Sequence, residues 1–163
     1  MVQIAFHYIE WLKSSRPKLA SEADYPYQAE VGTCRGNHKE FNQGAKVSGV
    51  YIDPNGDEET LKKLVVDNGA VLTTIKFPEN FREYTRGVFD GCNEEIDQVV
   101  HPHAVVIVGY GTENDVDYWI VKNSWGKWWG DRGYFKIKRG VHMCGIGRHQ
   151  VVVSCQNATA KGK

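Results

Sequence analysis

The chain has 163 residues, with 20 lysines and arginines against 20 aspartates and glutamates. That balance supplies no long-range pull toward nucleic acid or an anionic membrane surface, and neither is expected as a partner. Hydrophobic residues make up 41 %, with five Trp, eight Tyr and six Phe, which excludes a disordered chain, and the longest apolar run, Ala104 to Val108, is far short of the roughly 18 residues that span a bilayer.

Val2, Ala5, Phe6, Ile9 and Leu12 recur at helical spacing and Pro17 closes the run, so residues 2–14 are read as a helix with one apolar face. His7, Glu10 and Lys13 interrupt the same stretch, which lacks the continuous apolar core of a secretion signal. Residues 17–44, with Tyr25-Pro26-Tyr27 and several glycines, are read as irregular connection. Ala45 to Asp53 alternates as a strand. Asp57-Glu58-Glu59 then opens a second helix, with Leu61, Leu64 and Val65 facing inward, acids favourable at its amino-terminal dipole and Gly69 placed to end it. Strand-like runs follow at 70–75, 104–110, 117–122, 134–138 and 151–154, mostly antiparallel, with a short helical turn expected over 78–84.

The runs ending in Gly111 and beginning at Asp117 flank a polar, turn-forming stretch, Thr112 to Val116, and should pair as a hairpin. A turn centred near residue 113, without a bulge, sets His103 across from Asn123 on one face. Opposed β-carbons lie about 4.5 to 5.5 Å apart, within reach of a hydrogen bond from the imidazole to the carboxamide oxygen. This is the pairing of a base with the group that orients it in nucleophilic catalysis.

His103-Ala104-Val105 through Val108-Gly109-Tyr110-Gly111, followed by Lys122-Asn123-Ser124-Trp125-Gly126 and Trp129-Gly130, resembles the signatures of papain and cathepsin L. The likeness extends to Ala5-Phe6-His7-Tyr8-Ile9, Ser21 to Tyr27, Phe81 with Tyr84, and Cys144-Gly145-Ile146. It implies an α+β, papain-like fold, mainly the antiparallel β (right-hand) lobe with flanking short helices and one helix from the helical lobe. Residues 1–156 would then be the carboxy-terminal part of a peptidase domain, with 1–20 a remnant of the helical lobe, 45–156 the β lobe and 157–163 a flexible tail. By the same resemblance His103 is the catalytic histidine, Asn123 its orienting asparagine, and Trp125 and Trp129 the indoles packed beside them. Thr74, His101, Ala104 and His149 fall near positions that shape the family's substrate pocket. Pro102 departs from the polar residue that usually precedes the histidine, though proline is tolerated at the first residue of a strand.

The family's nucleophile comes from a Gln-x-x-x-x-x-Cys-x-x-x-Trp-like segment, and nothing in the 163 residues resembles it. The likeness places Met1 just after that half, so the missing half or a companion chain is an expected partner. Without it, Val2, Phe6, Ile9 and Leu12 should lie bare and sticky, each forfeiting about 1.5 to 3 kcal/mol. Cys92 and Cys144 match a pair that is disulfide-bonded in cathepsins. Cys34 resembles a cysteine whose partner lies in the absent half and Cys155 departs from the pattern, so a bond between them and a free thiol at each both stay open.

The chain is therefore read as the His/Asn half of a thiol protease acting on polypeptides, inactive alone, without cofactor. Lysosomal or extracellular residence follows by resemblance. The alternative is a catalytically dead relative that binds peptides, pro-segments or cystatin-like inhibitors. A metal site from His101, His103 and Cys92 is disfavoured, because two histidines at i and i+2 without a Cys-x-x-Cys are a poor ligand set.

Overall fold

The structure, a computed structural model, describes residues 2–15, 17–33, 44–92 and 102–157. Cys34, His101 and the tail beyond residue 157 lie outside the described residues, and so do the side chains of residues 2–6. The chain forms two compact units, one of Tyr51–Val152 with Met1–Gln3, the other of Ile4–Val50 with Val153–Lys163. Its architecture is α+β, with a mixed sheet and two α-helices among the described residues.

In the second unit the helical spacing near the amino terminus gives α1 (Val2–Ser15). Of the four residues expected to lie bare on its apolar face, Ile9 and Leu12 are buried instead, and the side chains of Val2 and Phe6 lie outside the described residues. Among the described residues of α1 the exposed aromatics are Tyr8 and Trp11, one turn apart and stacked with ring centroids 5.6 Å apart. A strand not expected from sequence, β1 (Lys18–Ala20), pairs antiparallel with the start of β2 (Gly44–Asp53), Leu19 facing Ala45.

The first unit carries α2 (Glu58–Asn68), whose signals act as expected. The Asp57 carboxylate accepts the Thr60 backbone N–H at 2.8 Å, and Gly69, at φ 78°, takes the left-handed conformation that ends the helix and donates its N–H to the Val65 carbonyl. Antiparallel pairing joins β3 (Val71–Lys76) to β5 (Pro102–Glu113), β5 to β6 (Val116–Lys122) and β6 to β7 (Tyr134–Lys138), while Val151 of β8 (Gln150–Asn157) faces Leu72. The two-residue β4 (Val88–Phe89) adds a parallel edge to β7, a pairing too short to read from sequence. A 3₁₀ turn at Glu79–Glu83 occupies the expected helical stretch between β3 and β4.

Side chains from alternate positions of β3, β5, β6 and β7 meet α2 in one core, which includes Leu61, Ile75, Phe81, Ile107, Trp119 and Phe135. Each large apolar side chain withdrawn from water contributes about 1.5 to 3 kcal/mol. Within it the buried Glu58 accepts the Trp119 indole N–H at 3.2 Å and the Gly140 backbone N–H, tying the start of α2 to β6 and to the turn after β7.

The register of the β5–β6 hairpin differs from the one expected. Asn114 and Asp115 both have positive φ, 51° and 61°, so the turn is a tight two-residue one whose twist suits antiparallel strands. Tyr110 consequently faces Trp119 and Gly111 faces Tyr118. A bulge between Ile107 and Gly109 leaves Val108 over and brings Ile107 opposite Val121 and Val106 opposite Lys122. Asn123 is thus level with Val105 rather than His103. The offset is two residues, which preserves the face.

Candidate active site

His103 stands near the start of β5 and Asn123 immediately after β6, where its backbone N–H donates to the Gly133 carbonyl at 2.9 Å. Despite the shifted register the side chains meet: His103 Nε2 lies 2.9 Å from Asn123 Oδ1. The Ser124 backbone N–H donates to the same oxygen at 2.7 Å, which identifies that atom as an acceptor. His103 Nε2 must therefore carry the proton it shares with Asn123. Nδ1 has no hydrogen-bond partner among the described residues, so it is the ring nitrogen open to proton transfer.

Aromatic rings enclose this contact. The Trp125 indole lies 5.5 Å from the imidazole, and Trp129 packs edge-on to Trp125 at 4.9 Å. Trp129 is itself held by its indole N–H, which donates to the Arg82 carbonyl at 2.9 Å. Gly130 lets the chain turn sharply at φ 59°, and a β-carbon there would come within 2.5 Å of the Tyr134 carbonyl oxygen. With Asn123 7 % exposed, the carboxamide hydrogen bond works in a medium less polar than water, where it is stronger.

Phe77, which sequence reasoning passed over, is buried with its ring 5.1 Å from His103 and 5.2 Å from Trp125. No local motif marks it: Ile75, near the end of β3, pairs with His103, and that pairing brings Phe77, two residues further on, beside the imidazole.

Thr74, Ala104 and His149 are also brought together. Thr74 pairs with Ala104 across β3 and β5, and its hydroxyl lies 3.3 Å from His149 Nδ1. Strand alternation puts Thr74 and Ala104 on the face opposite to the one His103 shares with Ile75. Cys92 and Cys144 form a disulfide with α-carbons 5.3 Å apart. That removes Cys92 as a metal ligand, and no cluster of three His, Cys, Asp or Glu that could hold a metal occurs among the described residues. Cys155 is free and exposed on β8. No helix among the described residues is long and apolar enough to cross a membrane.

Comparison with known proteins gives the geometry a context. Residues 2–154 match the model of the papain family of cysteine proteases. The chain is 41 % identical over 133 residues to the probable cysteine protease RDL5 of Arabidopsis thaliana, covering 78 % of this chain and 34 % of that protein. It is 41 % identical over 129 residues to a cathepsin L-like proteinase of Fasciola hepatica, covering 78 % of this chain and 38 % of that one. Among solved structures it resembles digestive procathepsin L2 from the larval midgut of Tenebrio molitor, with a TM-score of 0.76, 35 % identity and coverage of 90 % of this chain and 45 % of that one. Bromelain from Ananas comosus, solved in complex with the E64 inhibitor, gives a TM-score of 0.75 at 32 % identity, over 91 % of this chain and 67 % of that one. The chain spans little more than a third of the length of these curated relatives.

Proposed function

This chain belongs to the papain family of cysteine proteases, and from that premise we propose that it is the His/Asn half of a thiol peptidase acting on polypeptides, whose thiol comes from polypeptide outside these 163 residues. The observation that carries the reading is the 2.9 Å contact between His103 Nε2 and Asn123 Oδ1, which holds Nδ1 ready for a sulfur. In the proposed cycle Nδ1 takes the thiol proton, giving a thiolate and an imidazolium. The thiolate attacks the peptide carbonyl carbon; His103 returns the proton to the leaving amine as the C–N bond breaks and a thioester remains. Water then attacks the thioester, His103 accepting its proton, and the acid leaves as the thiol reforms.

Asn123 keeps the ring in the one tautomer that leaves Nδ1 free. Trp125 and Trp129 shield that bond from water. Thr74, Ala104 and His149, with His101, are proposed to contact a substrate side chain. Residues 45–156 would supply the β lobe of the complete enzyme and 1–20 part of its helical lobe, with the missing half or a companion chain as its partner. Cystatin-like inhibitors are proposed as further partners, and a lysosomal or extracellular site fits both the cathepsin-like relatives and the disulfide.

The test is complementation. The isolated chain is expected to leave a fluorogenic dipeptide substrate intact and to resist a thiol-directed epoxide. Refolding with a polypeptide that carries the Gln-x-x-x-x-x-Cys-x-x-x-Trp segment should create turnover, and His103→Ala should abolish it. Turnover by the isolated chain would refute the external thiol. Tight binding of peptides without turnover after complementation would favour a catalytically dead binding module.

A further inference from the structure

The contacts that enclose His103 do not end at the two indoles. Trp129 packs on Tyr84 at 5.7 Å between ring centroids, and Tyr84 stacks on the buried Phe81 at 5.6 Å and 16°. The Tyr84 hydroxyl makes two main-chain bonds: it donates to the Gly87 carbonyl at 2.6 Å and accepts the Lys136 N–H at 3.1 Å. Gly87 immediately precedes β4, and Lys136 lies opposite Val88 where β4 joins β7. One phenol therefore closes the segment between β3 and β4 and pins it to β7.

The same segment presents the Arg82 carbonyl that receives the Trp129 indole N–H. Trp129 is thus fixed twice by one turn, through its N–H and through its ring face. Most of that turn faces solvent: Arg82, Glu83, Thr85, Arg86 and Gly87 are exposed, so burial alone does not hold it in place. Its anchors are the Phe81 ring and the Tyr84 hydroxyl.

We propose that Tyr84 is a positioning residue for the peptidase site, its hydroxyl holding the 79–87 turn in the one place from which Trp129, and through it Trp125, confines the His103 imidazole. This rests on the reading of His103 as the base. Tyr84 touches neither substrate nor reacting atoms; it acts through the two indoles. Burial raises the Tyr84 pKa above its ordinary value, which keeps the phenol protonated and able to donate to Gly87.

The experiment is ¹⁵N and ¹H NMR of the His103 ring in the full 163-residue chain, with Tyr84→Phe compared with Thr73→Val. Thr73→Val removes another buried hydroxyl, the one that accepts the Gly147 N–H, without entering the ring stack. Wild type should show a single tautomer protonated at Nε2. Tyr84→Phe should mix the tautomers and speed exchange of the Nε2 proton with water roughly tenfold, on the scale of one lost buried hydrogen bond, whereas Thr73→Val lowers Tm and leaves His103 unchanged. An unaltered His103 spectrum in Tyr84→Phe would overturn the inference alone. If that variant does not fold, Trp129→Phe, which breaks the other tie between this turn and the indoles, at the Arg82 carbonyl, should mix the tautomers, and a fixed tautomer there would equally overturn the inference. A wild-type ring with no fixed tautomer would sink this inference and the reading of the site together.

Discussion

At the scale of single residues, buried polar groups with a fixed set of partners matter most, because losing one strands the others. Glu58 is the clearest case outside the site. Truncation by Glu58→Ala leaves the Trp119 indole N–H and the Gly140 N–H without their acceptor, at about 1 to 3 kcal/mol each, so a stability loss of roughly 2 to 6 kcal/mol is expected in urea denaturation. A loss below about 0.5 kcal/mol would show that the two donors find other acceptors. Tyr84 makes a pH-dependent contribution. Its folded pKa is raised by burial above the unfolded value of about 10, so its stabilisation is whole below that pH and is lost as pH rises through the folded pKa. Alkaline melting curves should therefore show a stability decline in wild type that is shallower in Tyr84→Phe.

At the scale of elements, α2 depends on its cap. The Asp57 carboxyl is held below its usual pKa first by the Thr60 backbone N–H and then by the Thr60 hydroxyl. A depressed carboxyl stabilises above the ordinary carboxylate range, and the contribution disappears as pH falls through the folded pKa. Asn at this position caps without titrating, so the stability difference between wild type and Asp57→Asn should shrink on acidification below about pH 4. A difference constant with pH would mean that the cap does not depend on charge. Both α-helices and most of the strands were legible for the same reason: Asp57, Gly69 and the apolar spacing act locally. The hairpin was legible in outline only. His103 and Asn123 were expected to face one another and in fact sit two residues apart, because an Asn-Asp turn and an extra Val108 both shift the register, and a single sequence does not reveal how those two shifts combine. The strands β1 and β4, three and two residues long, carry too few side chains for a period to show. Phe77 was missed for a related reason, since its place beside His103 depends on the β3–β5 pairing rather than on any local motif.

At the scale of the molecule, the Cys92–Cys144 bond closes a separation of 52 residues. In the chain-entropy model such a link stabilises by about 4 kcal/mol. Replacing both cysteines by serine should therefore lower Tm by roughly 8 to 16 °C in a chain of this length, and a shift under about 3 °C would show that the unfolded chain is hardly constrained by the link. The proposed activity needs a thiol delivered from elsewhere and activated by the His103 imidazole that Asn123 orients. The pH dependence of iodoacetamide alkylation of that thiol, in the complemented protein with His103 or with His103→Ala, tests this most directly. With His103 a reactive thiolate is expected well below the free-cysteine pKa of about 8.5, and with alanine a return to that value. Identical profiles for the two proteins would contradict that activation.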